Sequence, residues 1–156
     1  MHNLCIDIGN TSTKIAVFVN RELVSYQRFS DFDLENLIEL LKTFDIKKSI
    51  ISSVDEEVTK LEEYLKKNTK YTRFTTLLGK GLHNKYKTPQ TLGLDRWAAI
   101  IGAKSVYNDL ANLVIDAGSC ITYDYLSASH EYFGGSISPG INMRFKAMNY
   151  YTGRLP

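Results

Sequence analysis

The chain has 156 residues, 44% of them hydrophobic, which suits one ordinary domain or two small ones with a packed core and excludes a disordered chain. Lys and Arg number 19 against 17 Asp and Glu, a net charge of +2 with no basic run, so the composition makes no electrostatic case for nucleic acid or an anionic membrane. Met1-His2-Asn3-Leu4 has no basic region leading into a long apolar core, and no stretch reaches the roughly 18 apolar residues of a membrane span, so the chain reads as cytoplasmic.

Residues 3–8 form an apolar run ending in Asp-Ile-Gly-Asn, the pattern of a strand entering a tight turn. Residues 13–19 read as a second strand, Asn20-Arg21 as a turn, and residues 22–29 as a third strand. Asp33 is placed to cap a helix that carries Leu34, Leu37, Ile38 and Leu41 on one face. Residues 48–54 form a short strand. Ser53 and Glu56 then have capping-box spacing ahead of a helix with Val58, Leu61 and Leu65. Residues 71–75 suggest another strand, and Gly79-Lys80-Gly81 opens a polar loop running to Gln90. A helix follows Asp95 and runs to Tyr107. Three strands at 112–117, 120–126 and 131–138 precede a last helix from Gly140. Cys5 and Cys120 stand alone in apolar runs and read as buried thiols rather than metal ligands or a disulfide.

The chain repeats itself. Leu4-Cys5-Ile6-Asp7-Ile8-Gly9 matches Leu113-Val114-Ile115-Asp116-Ala117-Gly118 at an offset of 109 residues. Holding that offset, Thr13 meets Thr122, Glu22 meets Glu131, and the helix after Asp31 meets the segment after Gly140, without a gap over about forty residues. A motif and the elements after it share one register, which is the mark of duplication. The first copy spans residues 1–111 as β-β-β-α-β-α-β-α. The second begins at 112 and reaches only its fourth element by 156. On this offset, residues 3–30 and 112–139 form equivalent units.

Asp7-Ile8-Gly9-Asn10-Thr11-Ser12-Thr13-Lys14 sets a carboxylate at the end of a buried strand, followed by a turn of small and hydroxylated residues. Consecutive backbone N–H groups in such a turn can cradle phosphate oxygens, with the hydroxyls as further donors. Asp7 can then hold Mg²⁺ on those phosphates, directly or through water. One such turn is most simply a hairpin. Two copies, at Asp7 and at Asp116-Ala117-Gly118-Ser119, suit a nucleotide triphosphate better. There is no GxxxxGK[ST] P-loop, and Lys14 lies on a strand rather than at a helix start. Asp95, just before a helix, reads as an N-cap on its local context.

These two Asp-x-Gly turns resemble the phosphate motifs of the acetate kinase, sugar kinase, Hsp70 and actin superfamily. Asn10-Thr11 narrows the resemblance to type III pantothenate kinases. Tyr86-x-x-Pro89-x-x-x-Gly93-x-Asp95-Arg96 is similar to that family's substrate motif, and Gly134-Gly135-Ser136-Ile137-Ser138-Pro139-Gly140 to its glycine-rich turn. Thr152-Gly153-Arg154-Leu155-Pro156 also looks like a family segment, with Gly153 where Ala is usual.

The resemblance implies an α/β fold of duplicated ribonuclease H-like domains, the second incomplete. It implies ATP-dependent phosphorylation of pantothenate, the first step of coenzyme A synthesis, with Mg²⁺ and a monovalent cation (K⁺ or NH₄⁺). It gives ATP contacts to Asp7, Ile8, Gly9, Asn10, Thr11, Ser12, Thr13, Lys14, Gly118 and Ser119, where Thr is usual at 119. It gives the monovalent cation to Asp116, the catalytic base to Asp95, and the acceptor pocket to Tyr86, Gly93, Leu94, Asp95 and Arg96. Arg96 would fork onto the pantothenate carboxylate, as Lys would do less well. Family members are homodimers, and a threonine that touches pantothenate lies beyond Pro156. The helix from Gly140 would then expose Ile141, Phe145 and Met148.

Other readings fit less of the chain. Residues 86–96 argue against a sugar or acetate kinase. A ribonuclease H-like nuclease needs several carboxylates clustered on one domain, whereas Asp7 and Asp116 belong to different copies. A catalytically impaired nucleotide-binding fragment, or a regulatory accessory protein of the same fold, remains the alternative. Trp97 and Tyr123, Tyr125, Tyr132, Tyr150 and Tyr151 read as core or interface rather than as a base-stacking platform, and His2, His83 and His130 carry no assigned chemistry.

Overall fold

A computed structural model describes residues 1–53 and 58–155. The chain forms two compact units, Met1–Leu78 and Gly79–Pro156. The sequence repeat divides at 111/112 instead, so the last helix of the first copy lies in the second unit.

In the first unit, β1 (His2–Ile8), β2 (Thr13–Val19) and β3 (Glu22–Phe29) make an antiparallel meander. β4 (Ile46–Ser53) then pairs parallel to β1, and β5 (Lys70–Arg73) parallel to β4, giving the order β3-β2-β1-β4-β5. Three antiparallel strands followed by two parallel crossovers form the ribonuclease H-like sheet.

The helices α1 (Leu34–Thr43) and α2 (Thr59–Asn68) supply the crossovers. Alternation on the strands turns Leu4, Ile6, Ile15 and Val17 inward, where they meet Leu37 and Leu40 of α1 and Leu61 and Leu65 of α2. The inward stripe of α1 is centred on Leu37 and Leu40, while Leu34 and Leu41 pack at its margin. Asp33 caps α1 as expected: Asn36 N donates to its Oδ1 at 2.9 Å, and Asn36 Oδ1 accepts from Asp33 N at 3.2 Å. The capping box expected at Ser53 and Glu56 falls partly outside the described residues. Ser53 ends β4, and the N-cap of α2 is Val58. Cys5 is half-buried, and burial pushes its thiol up from the ordinary value.

In the second unit, β7 (Asn112–Ala117), β8 (Cys120–Leu126) and β9 (Glu131–Pro139) repeat the meander. The pairing of β2 with β3 shifts register beyond Val17, and that of β8 with β9 shifts beyond Asp124. The same irregularity at the same place in both copies supports duplication. The gap-free offset does not hold in detail, because Ile8 pairs with Thr13 whereas Ala117 pairs with Ile121, a turn one residue shorter.

The segment expected to be a polar loop contains β6 (His83–Asn84), parallel to β9, and a 3₁₀ turn at Pro89–Thr91. His83 N donates to His130 O at 2.9 Å and Lys85 N to Tyr132 O at 2.7 Å, which satisfies an otherwise open sheet edge. The order is β6-β9-β8-β7.

The helix α3 (Leu94–Val106) packs on β7 and β8 and buries Arg96, Trp97 and Ile100. Trp97 and Tyr132 are core residues, while Tyr123, Tyr125, Tyr150 and Tyr151 are exposed. Cys120 is exposed rather than buried: it opens β8, beside Met143 Sδ at 4.0 Å. The helix α4 (Ile141–Tyr151) has no buried residue, and Ile141, Phe145 and Met148 are exposed as expected.

Candidate active site

The first Asp-x-Gly turn joins β1 to β2. Gly9 N donates to Ser12 O at 3.2 Å and closes a four-residue turn between Ile8 and Thr13. Ser12 and Thr13 are buried, and Ser12 Oγ accepts from Arg28 Nε at 2.9 Å. Ser12 therefore braces the turn against β3, while Asn10 and Thr11 are exposed at its tip.

Asp7 and Lys14 are cross-strand partners, with Lys14 Nζ 3.4 Å from Asp7 Oδ2. Both side chains are more than a third exposed, so solvent screens the pair, and such contacts contribute about 0–1 kcal/mol. A pair this weak leaves Asp7 able to exchange Lys14 for another cation.

The second turn is tighter, with Gly118 N donating to Cys120 O at 2.9 Å. Asp116, Gly118 and Ser119 are all exposed, and Gly140 N donates to Ser119 O at 3.0 Å. Among the described residues no group of three or more His, Cys, Asp or Glu could hold a metal. The donor set at Asp7, one carboxylate beside hydroxyls, suits Mg²⁺ bound mainly through phosphate oxygens and water rather than in a protein cage. Asp116 is likewise a single exposed carboxylate.

The third cluster lies wholly in the second unit. The N-cap of α3 is Gly93, so Asp95 sits inside the first turn and is not the cap. Asp95 Oδ1 accepts from Arg96 N at 2.8 Å, and its side chain is exposed. A Cβ added at Gly93 would lie 2.5 Å from that oxygen, so Gly at 93 makes room for the Asp95 carboxylate. Leu94 opens the helix and is half-buried.

Arg96 is buried and already forked. Its Nε lies 2.9 Å from Asp124 Oδ2, and its Nη2 2.5 Å from Asp124 Oδ1. Tyr132 Oη donates to the same Oδ1 at 2.8 Å. The Arg96 side chain is 5% exposed and that of Asp124 2%. Removing one member of such a buried pair typically costs about 3–5 kcal/mol, because the other charge is left without a partner. The hydrogen bond to Asp124 holds the Arg96 guanidinium above its ordinary pKa. Burial, with the Asp124 carboxylate beside it, raises the Tyr132 phenol.

Tyr86 completes the cluster. Arg96 Cζ is 5.8 Å from its ring centroid, and its ring stacks on Tyr132 at 6.2 Å. Gly134, at φ +99°, provides the notch: a Cβ there would lie 2.7 Å from Tyr86 Cδ2.

The structure thus brings Tyr86, Gly93, Leu94, Asp95 and Arg96 together, and adds Asp124 and Tyr132. Asp124 was missed because one carboxylate among tyrosines on a strand carries no motif. Its signal was the alternation Thr122-Asp124-Leu126, which sends a charge to the buried face and so requires a cation there.

A ribonuclease H-like sheet, a repeated meander and paired Asp-x-Gly turns define a member of the acetate kinase, sugar kinase, Hsp70 and actin superfamily. A solved Aquifex aeolicus Ppx/GppA phosphatase shares this fold, with a TM-score of 0.50 at 12% identity, covering 99% of this chain and 56% of that one. Within that class the chain belongs to the type III pantothenate kinase family, whose model matches residues 3–156. It is 45% identical to the type III pantothenate kinase of Christiangramia forsetii and 43% identical to that of Phocaeicola vulgatus. Each match covers 99% of this chain and 64% of the relative. The chain therefore spans somewhat less than two thirds of the length of these curated relatives. Among the described residues no helix is long and apolar enough to cross a membrane.

Proposed function

We propose that this chain is part of an enzyme that phosphorylates pantothenate with ATP. The observation that carries the reading is the cluster in the second unit: an exposed Asp95 carboxylate one residue from a buried, pre-formed Arg96 that lies over the Tyr86 ring. Asp95 accepts the proton of the acceptor's primary hydroxyl as that oxygen attacks the γ-phosphorus of ATP. The bond from γ-phosphorus to the bridging oxygen breaks, and ADP leaves. Such transfer asks mostly for positioning and charge neutralisation, so one base suffices. Arg96 and Tyr86, with Gly93 and Leu94, orient the acceptor.

The turn from Asp7 to Lys14 receives the phosphates, with Gly118 and Ser119 as further contacts. Mg²⁺, when bound, neutralises phosphate charge, and Asp7 would hold it. Asp116 is assigned to K⁺ or NH₄⁺. By the repeat, residues 1–111 form the first domain and residues 112–156 begin the second. The working protein is read as a cytoplasmic homodimer.

The test is Asp95→Asn. The helix cap is Gly93, so the fold is retained, while an amide cannot take the proton and turnover falls by about 10²–10⁴-fold. A coupled assay for ADP on a complete version of the protein, with and without pantothenate, measures it. Near-normal turnover in Asp95→Asn removes Asp95 from the chemistry. A second reading is a catalytically impaired nucleotide-binding chain or a regulatory accessory protein of the same fold. ATP binding by calorimetry with no pantothenate-dependent ADP release identifies that case.

A further inference from the structure

Arg96 is assigned above to the acceptor's carboxylate, yet in the structure that guanidinium is held by a carboxylate of the protein itself. The fork uses Nε and Nη2, the Nη1 end lies outside it, and the Tyr86 hydroxyl is a further hydrogen-bond partner of the guanidinium. Asp124 has both oxygens engaged and a third donor, Tyr132 Oη, on Oδ1. The members come from separate elements: Arg96 from the first turn of α3, Asp124 from β8 and Tyr132 from β9. Tyr86, whose ring lies under Arg96, is seated in the Gly134 notch of β9.

A long flexible side chain normally loses rotamer freedom on binding a ligand. Here that cost falls on folding, and the planar guanidinium is fixed before any ligand arrives. From this arrangement we infer that Asp124 and Tyr132 are positioning residues: Asp124 locks the Nε–Nη2 edge of Arg96, Tyr132 locks Asp124, and the Nη1 end of the guanidinium is left to meet the acceptor's carboxylate. This inference rests on the reading of Arg96 given under Proposed function. It also sets a limit on affinity. Arg96 and Asp124 together are neutral, so the acceptor is recognised by directed hydrogen bonds more than by net charge, and weakly charged acids of the wrong shape gain little.

The experiment compares two probes on the 156-residue chain: pantothenate, and its analogue with –CH₂OH in place of the carboxylate. Calorimetry on the unsubstituted chain, Asp124→Asn and Tyr132→Phe gives the affinities. Asp124→Asn keeps the shape but sets an amide N–H against the guanidinium. It is expected to weaken pantothenate by about 10–100-fold, the usual effect of losing a partner that orients a binding group, and to leave the alcohol analogue unchanged. Equal weakening of both probes, or of neither, overturns the inference. Tyr132→Phe removes only the hydroxyl and retains the ring, so it remains informative if Asp124→Asn does not fold. A several-fold loss confined to the acid supports the proposal, and no loss overturns it.

If the unsubstituted chain binds neither probe, the pantothenate reading is left to the Asp95→Asn assay, and the positioning claim is decided separately by the Arg96 Nε–H resonance in ¹⁵N NMR. A sharp, slowly exchanging signal that is lost in Asp124→Asn and shifted in Tyr132→Phe supports it. A signal unaltered in both variants overturns it.

Discussion

Gly134→Ala tests whether the seat of the Tyr86 ring is built by backbone conformation. Two costs meet at this position. Its φ of +99° lies where L-residues rarely go, and such strain typically costs about 1–3 kcal/mol. The new methyl would also lie 2.7 Å from Tyr86 Cδ2 and 2.8 Å from Cε2, closer than carbon atoms approach, so the ring must move. Overpacking of this kind costs about 1–3 kcal/mol. Together the loss is about 2–6 kcal/mol, a large share of the roughly 5–15 kcal/mol that holds a domain folded. Trp97, the one tryptophan, is buried in the same unit, so its fluorescence reports that unit's unfolding in urea. With a urea slope of about 2 kcal/mol per molar, the midpoint falls by about 1–3 M. Tyr86→Ala in the Gly134→Ala background removes the clash but not the strain, so it recovers the steric half and leaves the rest. A midpoint shift under about 0.25 M in Gly134→Ala, or no recovery in the double variant, refutes the reasoning.

Further outcomes follow from the same structure. On the proposed role of Asp7 in holding Mg²⁺, Asp7→Asn weakens Mg-ATP binding measured by calorimetry; unchanged affinity removes Asp7 from the site. Leu65→Ala, at a position with 0% exposure between α2 and the first sheet, lowers stability by about 2–5 kcal/mol in thermal unfolding, and a loss below about 1 kcal/mol contradicts the packing described. The Glu62 carboxylate is pushed up by burial, but hydrogen bonds from Tyr71 Oη at 2.7 Å and Arg73 Nη1 at 2.6 Å outweigh this and hold it below its ordinary value of 4.5. A depressed carboxylate gives stability that is present above the unfolded value and lost as pH falls through the folded one. The first unit therefore weakens below about pH 4.5, and Glu62→Gln flattens that acid limb in melts followed by circular dichroism. An acid limb of the same slope in Glu62→Gln excludes this residue as its source.

The first sheet was readable because its signals are local. Alternation sets the faces of β1 and β2, Asp33 and Asn36 fix the start of α1, and both parallel crossovers are helical. β6 was not readable: two residues with no apolar alternation become a strand only because the edge of β9 offers hydrogen-bond partners far away in sequence. At the site, Asp95 and Arg96 were legible as a motif. The motif gave no sign that Asp95 lies inside the helix or that Arg96 already has a carboxylate partner. Both facts depend on where β8 and β9 pass, which only tertiary structure decides.

The open side of the second sheet bears on handling in solution. β7 pairs with β8 alone among the described strands, and Leu113, Ile115, Tyr123, Tyr125 and Phe133 are exposed. By strand pairing, Leu113, Ile115, Tyr123 and Tyr125 correspond to Leu4, Ile6, Ile15 and Val17, the residues α1 and α2 cover in the first sheet. A bare edge beside an oily face is a template for strand addition between molecules. Turbidity of concentrated solutions therefore rises with temperature and protein concentration before either unit melts. Lys at Leu113 or Ile115 slows that clouding without touching the buried Arg96–Asp124 pair. In practical terms the colloidal lifetime of this chain follows the exposed face of the second sheet, and the stability of the second unit follows the buried face of that sheet.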